Sequence, residues 1–398
     1  MNICILNRET SSLNLHASHD GGSLHIAKLV DFLSSKGHFI DIFSEGDFDT
    51  TFFSPQVRLI RVGSPPIGKN NIKTERHLNS AYVFAHNVIV HKEFNLQLYD
   101  VIHVHHWSSC INPLTNYLKK TPLIFTPHLS AHQKALTDSS YRESLILIEE
   151  SNLFEISNRI IALSNYEKET IINEGQLKPE KIQIIPNGID NYLINYSKTS
   201  RIYNSVTYET SKKMILSVGR LSLQKNFLPL IKAIHILRIN NNINICLVIV
   251  GSLKDEFEHV EKIKELVTEL KLENIIILTG ELPIKEVYEY MHKCDVYVQS
   301  SLIETQGIAL IEAMSIGCPV VINNIEPISH MIENGRNGII VNCENYLELS
   351  NAIYTVLNNS SYNDYAEKYR KVISDRYSWN RNLQKIEDTL MEVKLERK

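Results

Sequence analysis

The chain has 398 residues, of which 43% are hydrophobic and 22% charged, and its formal net charge is −4. At roughly 100–200 residues per domain, that is material for two or three globular domains with ample cores. The slight acidic excess argues against a nucleic-acid binder, which needs a basic surplus against phosphates. No apolar run has membrane-spanning length, so neither signal peptide nor membrane anchor is expected.

In chain order, the first half predicts strands at 3–6, 39–43, 57–62, 101–104, 123–126, 159–163 and 182–185. Several are continuous β-branched or leucine runs, as in strands buried on both faces of a parallel sheet. Helical periodicity lies between them at 24–36, 78–93 and 166–173. Asp47-Phe-Asp49 falls in a polar stretch after the second strand and is predicted to be a solvated turn. Residues 191–211, rich in Asn, Ser, Thr and Tyr without periodicity, predict a connection.

The second half repeats the scheme, with strands at 214–218, 246–250, 275–278, 296–299, 319–322 and 339–341. Lys36-Gly37 and Ile316-Gly317 predict helix exits just before strands. Two successive doubly wound α/β units follow, then a terminal helix pair at 363–374 and 380–395. The predicted domains are 1–195, 196–375 and a C-terminal helix at 376–398 that packs back on the first. The six cysteines, Cys4, Cys110, Cys246, Cys294, Cys318 and Cys343, have no close pair, which excludes a disulfide framework or zinc site by spacing. They read as small buried apolar residues in a reducing cytoplasm.

Two stretches carry chemistry. Gly219-Arg-Leu-Ser-Leu-Gln-Lys-Asn226 sets the cations Arg220 and Lys225 just past a buried-looking strand, at the edge where α/β proteins bind ligands. Glu304-Thr-Gln-Gly-Ile-Ala-Leu-Ile-Glu312 sets two carboxylates around Gly307 at a helix start. Cations suit a diphosphate and carboxylates suit sugar hydroxyls, while a glycine lets the amides of Ile308, Ala309 and Leu310 approach a ligand. The bland alternatives are solvated surface cations and exposed helix carboxylates. In the first half, Gly21-Gly22 is a candidate phosphate-approach turn or a plain tight turn. His128 follows a strand, and His103 and His105 share one strand face. A metal reading of His103, His105 and His106 is disfavoured, because alternation turns neighbours to opposite faces.

These residues, with Val250-Gly251-Ser252, Gly280, Pro319-Val-Val321, Asn334-Gly335-Arg-Asn-Gly338 and Tyr377-Ser-Trp379, resemble the retaining glycosyltransferases of family 4. Asp20-Gly21-Gly22, Asp100-Val-Ile-His103-Val-His105, Thr126-Pro-His128 and Pro186-Asn-Gly-Ile-Asp190 extend the resemblance across the first half. Gln306 departs from it, since an aromatic residue commonly precedes the glycine.

The resemblance implies the GT-B fold, with two Rossmann-like parallel-sheet domains facing a cleft and C-terminal helices crossing back to the first. It implies a metal-independent, cofactor-free hexosyltransferase that uses a UDP-sugar or, next, a GDP-sugar. His128, Arg220, Lys225 and Glu304 would be catalytic. Gly22, Gly219, Gly251, Gly307, Ile308, Ala309, Leu310 and Glu312 would bind the donor, with Glu312 on the ribose. His103, His105 and Asp20 would lie on the acceptor side. Under the resemblance Asp47-Phe-Asp49 is not the metal-binding DxD of the single-domain GT-A class. The acceptor stays open among a glycan, a lipid-linked sugar, a protein and a small metabolite. No nucleic-acid partner is expected, and location is expected to be cytoplasmic with at most weak attachment to the inner face of a membrane. A sugar-nucleotide epimerase of the same architecture and a non-catalytic partner subunit are the other classes weighed.

Overall fold

The computed structural model describes residues 1–10, 21–64, 73–136, 139–142, 144–190, 193, 212–241, 243–254 and 256–396. The chain divides into two compact units: Met1–Asn187 with Asn380–Lys398, and Gly188–Trp379. These divisions, at 187/188 and 379/380, lie within eight residues of the sequence boundaries at 195/196 and 375/376. Ile189 N–H donates to Tyr377 O, and a Cβ on Gly188 would lie 2.4 Å from Trp379 N. The predicted connection at 191–211 falls almost wholly outside the described residues.

The first unit is built on β1 (Asn2–Leu6), β2 (Phe39–Ser44), β3 (Asp49–Ser54), β4 (Val57–Arg61), β5 (Val101–His105), β6 (Leu123–Thr126), β7 (Arg159–Ala162) and β8 (Ile182–Ile184). Their order across the sheet is β3-β4-β2-β1-β5-β6-β7-β8. All pairs are parallel except β3 with β4. The continuous apolar runs are buried because helices cover both faces, which is why β5 and β6 have no exposed position. The helix Trp379–Leu395 contributes its residues from Asn380 onward to this unit. Asn382 Nδ2 donates to Pro186 O at 2.9 Å, and His38 Nε2 meets Glu387 Oε1 at 2.8 Å.

The second unit is built on β9 (Lys213–Val218), β10 (Ile245–Val250), β11 (Ile276–Gly280), β12 (Val296–Gln299), β13 (Val320–Asn323) and β14 (Gly338–Val341). The order β11-β10-β9-β12-β13-β14 is parallel throughout. Successive residues serve opposite cores. Ile215, Leu247, Ile249, Val296 and Val298 pack on one face, while Met214, Leu216, Val248, Val250 and Tyr297 pack on the other. At about 1.5–3 kcal/mol for each fully buried large apolar side chain, this double-sided burial dominates the unit's stability.

Some local expectations change. Asp47-Phe-Asp49 does not form a turn alone: Asp49 opens the antiparallel edge strand β3, and its carboxylate lies 3.6 Å from Arg61 Nη1. The mostly exposed sequence Asp-Thr-Thr-Phe-Phe-Ser hid this strand, because an edge strand buries little. Gly21 and Gly22 are not a separate turn but the opening residues of the helix Gly21–Ser35. The six cysteines are all buried. No helix among the described residues is long and apolar enough to cross a membrane.

Candidate functional site

In the second unit the strand order reverses between β9 and β12, so their outgoing loops diverge and leave a crevice at the carboxyl edge. Three glycines prolong the strand pairing there. Gly219 N–H donates to Val250 O, Gly251 N–H donates to Gly280 O, and Leu221 N–H donates to Ser252 O. Only glycine fits at 251, because a Cβ would lie 2.0 Å from Gly219 O and 3.0 Å from Arg220 N. The Lys225 stem runs across Gly219, with its Cε 3.0 Å from where a Cβ would stand. A short 3₁₀ turn, Leu223–Lys225, ends at Asn226 in the left-handed conformation and turns this lysine back over the strand ends.

Lys225 meets Glu304. Its Nζ lies 2.6 Å from Glu304 Oε1, and the two side chains are 18% and 8% exposed. The same oxygen accepts from Gln299 Nε2 at 2.6 Å and from Ser301 Oγ at 2.7 Å. Tyr297 in turn donates its hydroxyl to Gln299 Oε1 at 2.6 Å. A buried carboxylate is tolerated only when paired and hydrogen-bonded, and three donors on one oxygen do that. Arg220 is exposed on the same loop and has no ion pair among the described residues.

Glu312 sits one turn into the helix Ile308–Ile316. Its Oε1 accepts from Tyr288 Oη at 2.9 Å. Burial, opposed by that hydrogen bond and reinforced by the charge of Asp190, pushes its carboxyl up to about 7. Glu312 therefore does not join the Lys225–Glu304 pair. Gly307 caps the helix at φ +77, a conformation costly for other residues, and a Cβ there would lie 2.8 Å from Ile328 Cγ2. Gly307 itself offers no side chain to cap this helix start, and the first amides of a helix are where an anion binds. Ile308 and Ala309 are half-buried at that end, whereas the Leu310 side chain belongs to the core.

In the first unit β5 delivers His103 and His105, and the turn after β6 delivers His128. The His103 and His105 rings lie 4.0 Å apart, as their shared face requires, and His103 Nε2 meets Thr126 Oγ1 at 2.9 Å. His105 Nδ1 lies 2.9 Å from His128 Nε2. His128 has φ +63, which aims its ring at this group, and His25 arrives from the helix Gly21–Ser35. Its Nδ1 lies 2.6 Å from Asn187 Oδ1. Burial lowers His25 to about 4 and His103 to about 3, and holds His105 and His128 well below the usual imidazole value, with neighbouring histidines adding to it. All four rings are thus neutral at pH 7. Asp20 lies outside the described residues, and Gly22 is half-buried in the first turn of its helix.

The sequence reading missed Gln299, Ser301, Tyr288 and His25. Polar residues ending the apolar strand 296–299 were the available signal for the first two. Nothing local marked Tyr288 or His25, because each reaches its partner across the fold.

Known proteins bear on this geometry. The description "Glycosyltransferase Family 4" matches residues 19–191, and "Glycosyl transferases group 1" matches residues 200–373. The chain belongs to the GT-B glycosyltransferases of family 4. An uncharacterized glycosyltransferase of Methanocaldococcus jannaschii is 24% identical over 376 residues, spanning 90% of this chain and 91% of that protein. A sucrose-phosphate synthase from Thermosynechococcus elongatus superposes with a TM-score of 0.83 at 20% identity, covering 98% of each chain. Anabaena HepE, solved with UDP and glucose, gives a TM-score of 0.73 at 18% identity, covering 98% of this chain and all of that one. In this GT-B chain Gly219, Lys225 and Glu304 come together at the reversal point of the second sheet.

Proposed function

We propose that this glycosyltransferase moves a hexose or N-acetylhexosamine from a nucleotide sugar to an acceptor hydroxyl, with retention at the anomeric carbon. UDP-sugars are the first donors to test and GDP-sugars the next. The observation that carries the donor side is the Lys225–Glu304 pair at the sheet's reversal point, beside the helix start at Gly307. A bound donor would draw the ammonium to its diphosphate and leave the carboxylate for a sugar hydroxyl. As the sugar–phosphate bond breaks, charge grows on the leaving oxygen, and Arg220 and Lys225 stabilise it without a metal on the diphosphate.

Glu312 would hold the ribose. The amides of Ile308, Ala309 and Leu310, with Gly219, Gly251, Gly307 and Gly22, would allow close approach to the donor. His128 would stand beside the transferring sugar, with His103, His105 and Asp20 on the acceptor side. The departing phosphate would itself take the acceptor's proton, so the protein's task is orientation and water exclusion. The acceptor belongs to the glycans, lipid-linked sugars, proteins or small metabolites of glycoconjugate synthesis.

The test is a thermal-shift screen over nucleoside diphosphates and their sugars, followed by product analysis with the stabilising donor. Arg220→Ala and Lys225→Ala should each lose ~10²–10³ in rate. Near-normal turnover in both overturns the phosphate assignment. An altered free sugar from donor alone would mean an epimerase, and nucleotide binding without turnover across broad acceptor panels would mean a non-catalytic subunit.

A further inference from the structure

We infer that the first unit holds a buried site for one divalent transition ion of the zinc class, ligated by His25, His105 and His128. One ligating atom from each lies within 4.8 Å of the other two. The ring centroids form a near-equilateral triangle, with sides of 4.8 Å (His25–His128), 5.2 Å (His105–His128) and 5.3 Å (His25–His105). Imidazoles bound tetrahedrally at about 2.0–2.1 Å place their nitrogens about 3.3 Å apart and their centroids about 5 Å apart. The rings already stand at that separation, so binding requires them to turn rather than to travel.

Two features outside the triangle point the same way. Asn187 Oδ1, 2.6 Å from His25 Nδ1, can only accept, so it fixes the tautomer with Nδ1–H and assigns ligation to Nε2. Orientation of a ligating imidazole by a carbonyl on its other nitrogen is the usual support of such sites. His128 is held at φ +63, an uncommon conformation for a residue with a Cβ, and that conformation turns its ring inward.

Metal binding needs no net proton release here. His105 Nδ1 and His128 Nε2 are 2.9 Å apart and share one proton. The ion takes the place of that proton, which moves to the other nitrogen of the ring that donated it, His105 Nε2 or His128 Nδ1. Each ring stays neutral and carries one proton. His128 is half-buried and gives the ion its access to solvent. With three imidazoles and no carboxylate in the group, the site favours zinc, cobalt, nickel or copper over magnesium or calcium.

The experiment is titration of the full-length chain with Co²⁺, read by the intense visible absorption of tetrahedral cobalt, together with bound zinc after dialysis. One ion per chain is expected, together with an affinity at least ~10-fold weaker in His25→Ala and ~10–100-fold weaker in Asn187→Ala, which keeps all three ligands. His330→Ala, at an exposed histidine, should bind as the natural chain does. Circular dichroism checks that each variant folds; if His25→Ala does not, Asn187→Ala decides. Sub-stoichiometric binding, an octahedral spectrum, or undiminished affinity in folded His25→Ala or Asn187→Ala overturns the site. No turnover is measured, so failure of the sugar-transfer reading leaves this result standing, and the converse holds.

Discussion

Replacing Glu312 by Gln tests the burial of the second carboxylate. In the folded chain this carboxyl is pushed up to about 7, chiefly by burial, against an ordinary value of 4.5. Below about pH 4.5 it is protonated in both folded and unfolded chains and carries no penalty. Between 4.5 and 7 the unfolded chain releases its proton first, so stability falls as the pH rises, and above 7 the whole penalty stands. At about 1.4 kcal/mol per pH unit, the interval from 4.5 to about 7 amounts to about 3 kcal/mol. Glutamine keeps the shape and the acceptor for Tyr288 Oη but removes the charge. The natural chain and Glu312→Gln should therefore be equally stable near pH 4.5 and diverge toward pH 8, with the variant more stable by about 3 kcal/mol. His25, lowered to about 4, works in the opposite direction, losing stability as the pH falls. The quantity to follow is hence the difference between the two chains, by urea unfolding at several pH values. A difference that stays flat with pH, or a natural chain more stable at pH 8, would refute the reasoning.

Further outcomes follow from other contacts. Gly251→Ala drives a Cβ to 2.0 Å from a backbone oxygen, whereas Gly335→Ala meets nothing within 4 Å and bears only the strain of φ +81. The first should cost about 3 kcal/mol or more and the second about 1–2 kcal/mol, and equal melting temperatures for the two variants would count against the close strand approach. In a double-mutant cycle, Lys225→Met and Glu304→Gln should each destabilise by about 1–3 kcal/mol. The double variant should cost at least ~1 kcal/mol less than their sum; strict additivity would mean the pair is not coupled. Ser301→Ala removes one of three donors to Glu304 Oε1. Calorimetry should show weaker nucleotide-sugar binding with nucleoside diphosphate binding unchanged, and equal losses for both ligands would detach Ser301 from the sugar side.

Much of the second unit was legible in the chain itself. Its strands are uninterrupted apolar runs such as Ile245–Val250, and such runs arise where both faces of a sheet are covered. Gly307 and Gly317 bracket their helix because left-handed backbone at its two ends demands residues without a side chain. The edge strand β3 was missed for the opposite reason, since an edge buries too little to leave an apolar pattern.

Local sequence thus determined the two parallel-sheet units, the loop that carries Arg220 and Lys225, and the loop and helix that carry Glu304 and Glu312. Only the tertiary structure decided which of those charges meet. Lys225 joins Glu304 because β9 and β12 become neighbours across a reversal in strand order. Glu312, one helical turn further on, faces Tyr288 instead. His25 meets His105 and His128 in the same way, although about 80 and 100 positions of chain separate them. Periodicity and turn chemistry act over a few residues, whereas strand order is settled by how whole elements bury one another, and this is where partners distant in the chain are chosen.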